Sequence, residues 1–251
     1  MVRYKFKDKL RHFAKRIPFS EDIYNYIFTA IFPKYTEDGM RVNKNIGFTK
    51  DPDFLRAYSA TLKQDPKIKI RWRAHVCQWA GYHASKLDGD FVEAGVNTAL
   101  LTTSVIEYIN FKTITNKKFY LFDTFEGLVD DLILPEEHDI LRHNYSDCYD
   151  FIVDTFKNFK NVVIVKGIVP YSLSDVKIDK VAYLSIDMNC AKPEIATLEF
   201  FWDKIVHSGI VILDDYCFSG RQIQKQYADE FAKKINVKIL SLPTGQGMII
   251  K

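Results

Sequence analysis

Two apolar, β-branched runs in this chain end in carboxylate: Y-L-S-I-D at Tyr183 to Asp187 and G-I-V-I-L-D-D-Y at Gly209 to Tyr216. Runs of this kind are expected of buried parallel strands, which deliver side chains to the carboxyl edge of a sheet. Asp187, Asp214 and Asp215 would then meet at one edge. Like charges brought together need a compensating partner, and a hard cation with oxygen ligands supplies one. The plainer alternative, that a strand-end aspartate caps the next helix, competes for each of the three taken singly.

The rest of the chain fits a parallel sheet. Strands are predicted at Phe91–Val96, Phe119–Phe122 and Val162–Val165, then at the two runs ending in Asp187 and Asp214. Helices are predicted at Ala99–Asn110, near Asp150–Phe159, at Pro193–Val206 and at Gln222–Ile235. In the third of these helices Pro193 and Glu194 suit a first helical turn, Gly209 suits the helix end, and Ile195, Leu198, Trp202 and Ile205 form the apolar stripe. Val237–Leu242 and Gly247–Ile250, joined through P-T-G-Q, are too close for a parallel crossover and pair antiparallel. The fold class is therefore α/β: a doubly wound, Rossmann-like seven-stranded sheet with its last strand antiparallel, binding ligand where the strand order reverses. Arg71–Leu87 is read as a core helix with Trp72, Val76, Trp79 and His83 on one face.

A helical N-terminal cap or lid is expected over residues 1–70, ahead of the main domain at 71–251. Phe6, Leu10, Phe13 and Ile17 recur at helical spacing among Lys5, Lys7, Lys9, Arg11, Lys15 and Arg16, a short basic amphipathic helix. Such a helix packs on its own domain, on a second subunit, or on an anionic membrane surface. Residues 35–69, broken by Gly39, Gly47, Pro52 and Pro66, are predicted to form turns and short helices, with Tyr35, Glu37 and Phe48 shaping an acceptor pocket.

At 251 residues, a formal charge of +3 is too small and dispersed to argue for nucleic acid. Four scattered cysteines, Cys77, Cys148, Cys190 and Cys217, suggest neither a zinc site nor a disulfide framework, and a cytoplasmic setting fits. No apolar run is long enough to span a bilayer, and no secretory leader is evident. Aromatic residues, at 14%, are compatible with a homo-oligomer interface, although aromatics fill cores first.

The first strand and its turn, F-V-E-A-G-V-N-T-A, place Glu93 at a strand end and Gly95 where the backbone bends beside a helix N-terminus. A pyrophosphate cofactor would want G-x-G-x-x-G here, which disfavours a nicotinamide-dependent oxidoreductase. A nucleoside without phosphates tolerates the acidic residue.

The set F-V-E-A-G-V, Y-L-F-D-T-F-E-G-L at Tyr120 to Leu128, Y-L-S-I-D and G-I-V-I-L-D-D-Y, in that order, closely resembles the macrocin O-methyltransferase (TylF-like) family from about Phe91 to Lys251. The resemblance implies a class I S-adenosylmethionine-dependent enzyme acting on a hydroxyl of a sugar or glycosylated small molecule. It implies that Glu93 and Gly95 border the methionine part of the cofactor, with Val96, Thr124, Gly167 and Asp187 also in that site, and that Asp123 binds the ribose hydroxyls. It further implies that Asp187, Asp214 and Asp215 hold a divalent ion, usually magnesium. A bound cation would lower the acceptor hydroxyl pKa and orient its oxygen, with Asp187 at the reacting centre. His138 and His143, in the acidic insert after Gly127, are candidate general bases or else solvated loop histidines.

Three departures from the family pattern matter. Ala99 stands near an expected glycine, which would narrow the cofactor pocket. Asn189 replaces a carboxylate but keeps a neutral oxygen for a cation. Ala191 replaces a tyrosine, which leaves the acceptor open. Ala99 and Asn189 together keep alive a protein that binds the cofactor without catalysis. P-T-G-Q-G at Pro243 to Gly247 reads as a turn closing the sheet, in preference to a segment reaching the active-site rim.

Overall fold

The computed structural model describes residues 23, 26, 29–31, 33–137 and 145–251 of the chain, which falls into two compact units, residues 1–50 and 51–251. The predicted basic helix around Phe6–Ile17 and both insert histidines, His138 and His143, lie outside the described residues.

In the first unit, β1 (Tyr35–Glu37) and β2 (Met40–Val42) form an antiparallel hairpin in place of the predicted turns and short helices. Its two-residue turn, Asp38-Gly39, has φ of 52° and 72°, the left-handed pair that a tight hairpin requires.

The second unit opens with α1 (Pro52–Gln64), a thirteen-residue helix where the sequence predicted turns and short helices. Pro52 starts this helix. Asp51 accepts from the N–H groups of Asp53 and Phe54 at 2.9 and 3.0 Å, and a proline in the first turn leaves no hydrogen bond unmade. Phe54, Ala57, Tyr58 and Thr61 form the buried stripe, and the Thr61 hydroxyl donates to Leu100 O at 2.8 Å.

Helix α2 (Arg71–Ala84) buries Ala74, Cys77, Gln78, Gly81 and Ala84, whereas Trp79 of the predicted apolar stripe is 48% exposed. Close approach decided the face: a Cβ on Gly81 would stand 2.6 Å from Val105 Cγ1. Small residues let the backbones meet where large ones would hold them apart.

Strands β3 (Asp90–Ala94), β4 (Phe119–Asp123), β5 (Val162–Lys166), β6 (Val181–Ile186), β7 (Ile205–Leu213), β8 (Leu240–Ser241) and β9 (Gly247–Ile250) make one sheet in the order β5-β4-β3-β6-β7-β9-β8. All pairings are parallel except those of β9, which inserts antiparallel between β7 and β8. Helices α3 (Leu100–Tyr108), α4 (Tyr149–Phe156), α5 (Ala191–Trp202) and α6 (Gln222–Lys234) alternate with the strands. Gly209, predicted to end a helix, lies inside β7, where the register with β6 shifts and a Cβ would come within 2.9 Å of Val206 O. One sheet face packs Val92, Phe122, Leu184 and Val211 against Leu198 and Phe201 of α5 and Phe231 of α6. Strand order reverses between β3 and β6, and that reversal opens a crevice at the carboxyl ends of those two strands.

Candidate active site

Gly95 follows β3 with φ +84°, and a Cβ there would lie 1.9 Å from Asp187 O. The two strand ends at the switch point therefore touch backbone to backbone, and only glycine allows it. Next to them Asp123, at the end of β4, accepts from the Val96 and Asn97 N–H groups on Oδ2 at 2.6 and 2.8 Å, and from the Phe125 N–H on Oδ1 at 2.7 Å. These bonds fix the carboxylate: Oδ2 already takes two donors, and Oδ1, with one backbone donor, keeps a lone pair for a further one.

Gly95, Asn97, Asp123, Thr124, Gly167 and Asp187 line a cleft that opens to solvent, its empty space about 740 Å³ with that open part included. Leu128, Val129 and Leu132 of the insert form part of its wall. The insert is anchored by buried Glu137, whose Oε1 accepts the Ala191 N–H at the start of α5 at 2.8 Å. Tyr145 also lines the cleft; burial, then the nearby Asp187, pushes its pKa up to about 12, so its hydroxyl stays a donor.

Two of the predicted cofactor residues do not line the cleft. Val96 is buried and contributes its N–H to Asp123. Glu93 is buried within β3, and among the described residues its Oε2 has no hydrogen-bond partner. Burial pushes its pKa up to about 8; the Thr102 hydroxyl opposes the shift, and Asp214 and Asp123 add to it. Ala99 is likewise absent from the lining. It is fully buried with φ +60°, which accounts for a glycine preference at this position without any narrowing of the pocket.

Asp187, Asp214 and Asp215 do come together: one oxygen from each lies within 4.8 Å of the others. Two arginines that sequence reasoning missed partly neutralise them. Arg73 of α2 pairs with Asp214 Oδ2, and Arg221 Nε stands 3.4 Å from Asp215 Oδ2. Three carboxylates against two guanidinium groups leave one formal negative charge. Burial, then the other two aspartates, raises the pKa of Asp187 well above the carboxylate range, and burial, then Asp214, raises that of Asp215. Asp215 Oδ2 is buried and lacks a hydrogen bond among the described residues. An all-oxygen donor set short of positive charge, with one buried oxygen that has an ion pair to Arg221 but no hydrogen bond among the described residues, fits a hard divalent cation.

Asn189, with φ +61°, turns its Oδ1 to Arg221, and its backbone O accepts from the same guanidinium at 3.1 Å. Its Nδ2 faces Asp187 Oδ1 at 3.4 Å. The neutral oxygen expected to be available to a cation is thus engaged by arginine. Glu194 of α5 is a further residue the sequence did not single out for chemistry. Its Oε1 accepts from Gln224 Nε2 at 2.8 Å, and burial, then Asp215, pushes its pKa up to about 8. The P-T-G-Q-G segment joins β8 to β9 as a turn, none of its residues lines the cleft, and from behind it delivers Gln246 Nε2 to Asp214 Oδ1 at 2.8 Å.

The family model for macrocin-O-methyltransferase (TylF) matches residues 78–241. No curated protein sequence matches the chain. Among solved structures, the O-methyltransferase NovP superposes with a TM-score of 0.62 at 18% identity, covering 71% of this chain and 79% of NovP. The calicheamicin methyltransferase CalS11 superposes at 0.56 with 14% identity, covering 86% and 99%; its unliganded structure is described as a TDP-rhamnose 3′-O-methyltransferase. PaMTH1 of Podospora anserina, solved with S-adenosylhomocysteine, superposes at 0.50 with 13% identity, covering 80% and 87%. At these identities the likeness is one of fold.

Proposed function

Because the chain belongs to the macrocin O-methyltransferase (TylF) family and is an S-adenosylmethionine-dependent O-methyltransferase, we propose that it methylates a hydroxyl of a sugar or glycosylated small molecule with the help of a divalent cation, most simply magnesium. The observation that carries this reading is the position of Asp187. It lines the cleft and also belongs to the three-carboxylate cluster. Methyl donor and acceptor oxygen would therefore meet beside one residue, as an in-line displacement requires.

S-adenosylmethionine supplies a sulfonium methyl group, and a cation held by Asp187, Asp214 and Asp215 supplies charge that lowers the pKa of a nearby hydroxyl. The chain's own residues do the rest. Asp123, held by three backbone N–H groups, is set to receive ribose hydroxyls, while Gly95 and Gly167 line the cleft, their lack of Cβ making room for Asp187 O and the Ser172 side chain. Arg73 and Arg221 reduce the repulsion among the aspartates and hold their orientation. Tyr145, kept protonated, forms part of the cleft wall. His138 or His143 would take the hydroxyl proton. The description of CalS11 as a TDP-rhamnose 3′-O-methyltransferase supports a sugar acceptor. Free cysteines at all four positions support a cytoplasmic setting. Exposed Trp79 and Tyr82, one turn apart on α2, support self-association. Among the described residues no helix is long and apolar enough to cross a membrane.

The test is transfer from methyl-labelled S-adenosylmethionine to a panel of free, nucleotide-linked and aglycone-linked sugars, with magnesium and with a chelator. Label should appear in at least one sugar, disappear with chelator and return with added magnesium. Transfer indifferent to chelator would remove the cation from the account. Cofactor binding with no transfer to any acceptor would favour a binding protein that has lost catalysis.

A further inference from the structure

We propose that Gln246, carried by the turn between β8 and β9, is a positioning residue of the active site: with Arg73 it grips Asp214 by its two oxygens and sets that carboxylate for the cation. The inference rests on the cation reading above, and its geometry follows from strand pairing. Leu213 of β7 lies opposite Gly247 of β9, so the next pair outward is Asp214 and Gln246. Residues directly opposite on antiparallel neighbours share a face, with their Cβ atoms about 5 Å apart. A long amide at this position reaches the carboxylate without displacing the backbone.

The amide is held on every side. Gln246 is fully buried, its Nε2 donates to Asp214 Oδ1 at 2.8 Å, and the same group stands 3.5 Å from Cys77 Sγ. The Thr244 hydroxyl donates to Gln246 Oε1 at 2.9 Å. A carboxylate on one side and a hydroxyl donor on the other fix which end of the amide faces Asp214. Arg73 takes the other carboxylate oxygen, and its guanidinium lies 5.2 Å from the centre of the Phe218 ring. Phe218 in turn rests on the turn itself, since a Cβ on Gly245, at φ +88°, would come within 2.4 Å of that ring. Arg73, Phe218, Gly245, Gln246 and Asp214 thus close a ring of contacts. A buried carboxylate with both oxygens gripped cannot rotate, whereas structural burial alone would have been served by an apolar side chain.

Partners behind metal ligands typically change affinity or activity about 10–100-fold when removed. The test is calorimetric titration of the full chain with Mn²⁺ alone, with a separate titration by S-adenosylhomocysteine. Gln246→Met keeps the length and removes the donor. It should weaken Mn²⁺ binding about 10-fold or more, while S-adenosylhomocysteine affinity stays within about twofold, since Gln246 is not on the cleft lining. Thr244→Val, which removes only the hydroxyl that orients the amide, should weaken Mn²⁺ in the same direction by less, and it carries the test should Gln246→Met not fold. Equal Mn²⁺ affinity in native and variant proteins would overturn this inference and leave the cation site standing. No Mn²⁺ binding by the native protein would overturn both.

Discussion

Replacing Gly95 by alanine adds one methyl group at the point where the two central strands touch. Two costs are separable. The left-handed φ of +84° charges a Cβ-bearing residue about 1–2 kcal/mol. Ala99, four residues on with φ +60°, shows that the chain already bears that cost in the same turn. The second cost is crowding: the new Cβ would lie 1.9 Å from Asp187 O and 2.4 Å from its carbonyl carbon, and both are backbone atoms that no rotamer change can move aside. The β3 and β6 ends must separate by more than 1 Å to restore ordinary contact, which breaks or stretches the 2.9 Å bond from the Asp187 N–H to Ala94 O. Overpacking of this kind costs about 1–3 kcal/mol, for a total of roughly 2–5 kcal/mol. Asp187 moves with its backbone, so cofactor affinity should fall along with stability. Urea unfolding combined with S-adenosylhomocysteine titration of Gly95→Ala checks both. A variant within about 1 kcal/mol of the native protein and with unchanged affinity would refute the argument that this contact forms the floor of the site.

The buried carboxyl of Glu93 makes stability depend on pH. Its folded pKa of about 8 lies above the ordinary 4.5, so the folded state binds more protons in that window and stability falls as pH rises from about 4.5 through 8. The full effect is on the order of 4–5 kcal/mol at 1.36 kcal/mol per unit, so Glu93→Gln should gain stability at pH 8 and little at pH 4.5. Its profile should keep a residual slope from Glu194, which is shifted the same way. Urea unfolding at several pH values measures this, and parallel profiles would contradict it. Ala99→Gly should leave S-adenosylmethionine affinity within about threefold, because Ala99 does not line the cleft; the thermal energy RT makes threefold roughly 0.6 kcal/mol. A large gain on calorimetric titration would mean that the methyl group does obstruct the pocket.

What the sequence disclosed depended on how local the signal was. The alternation of strands and helices, and the meeting of Asp187, Asp214 and Asp215, were legible because neighbouring parallel strands necessarily bring their carboxyl ends together. Insertion of β9 between β7 and β8 was not, since a hairpin signal does not say which strand its second arm will pair with. Helix α1 was hidden because Pro52 was read as a breaker when it sits in the first turn. The buried face of α2 was misassigned because hydrophobicity favours Trp79, while close packing against neighbouring elements, α3 at Gly81, demanded Ala74, Cys77 and Gly81. Arg73, Arg221 and Gln246 reach the aspartates from two helix starts and a distant turn, and nothing in their local sequence distinguishes them from surface residues. The one available cue was electrostatic: three converging carboxylates require cations from somewhere, and the protein supplies two of them itself.

The most direct test of the central claim is calorimetric titration of the purified protein with S-adenosylmethionine and with S-adenosylhomocysteine, each with and without magnesium. Micromolar binding of either, saturating at one site per chain and lost in Asp123→Ala, is the result expected if the cleft between Gly95, Asp123 and Asp187 holds the methyl donor. Absence of binding under every condition, or binding indifferent to Asp123, would contradict it.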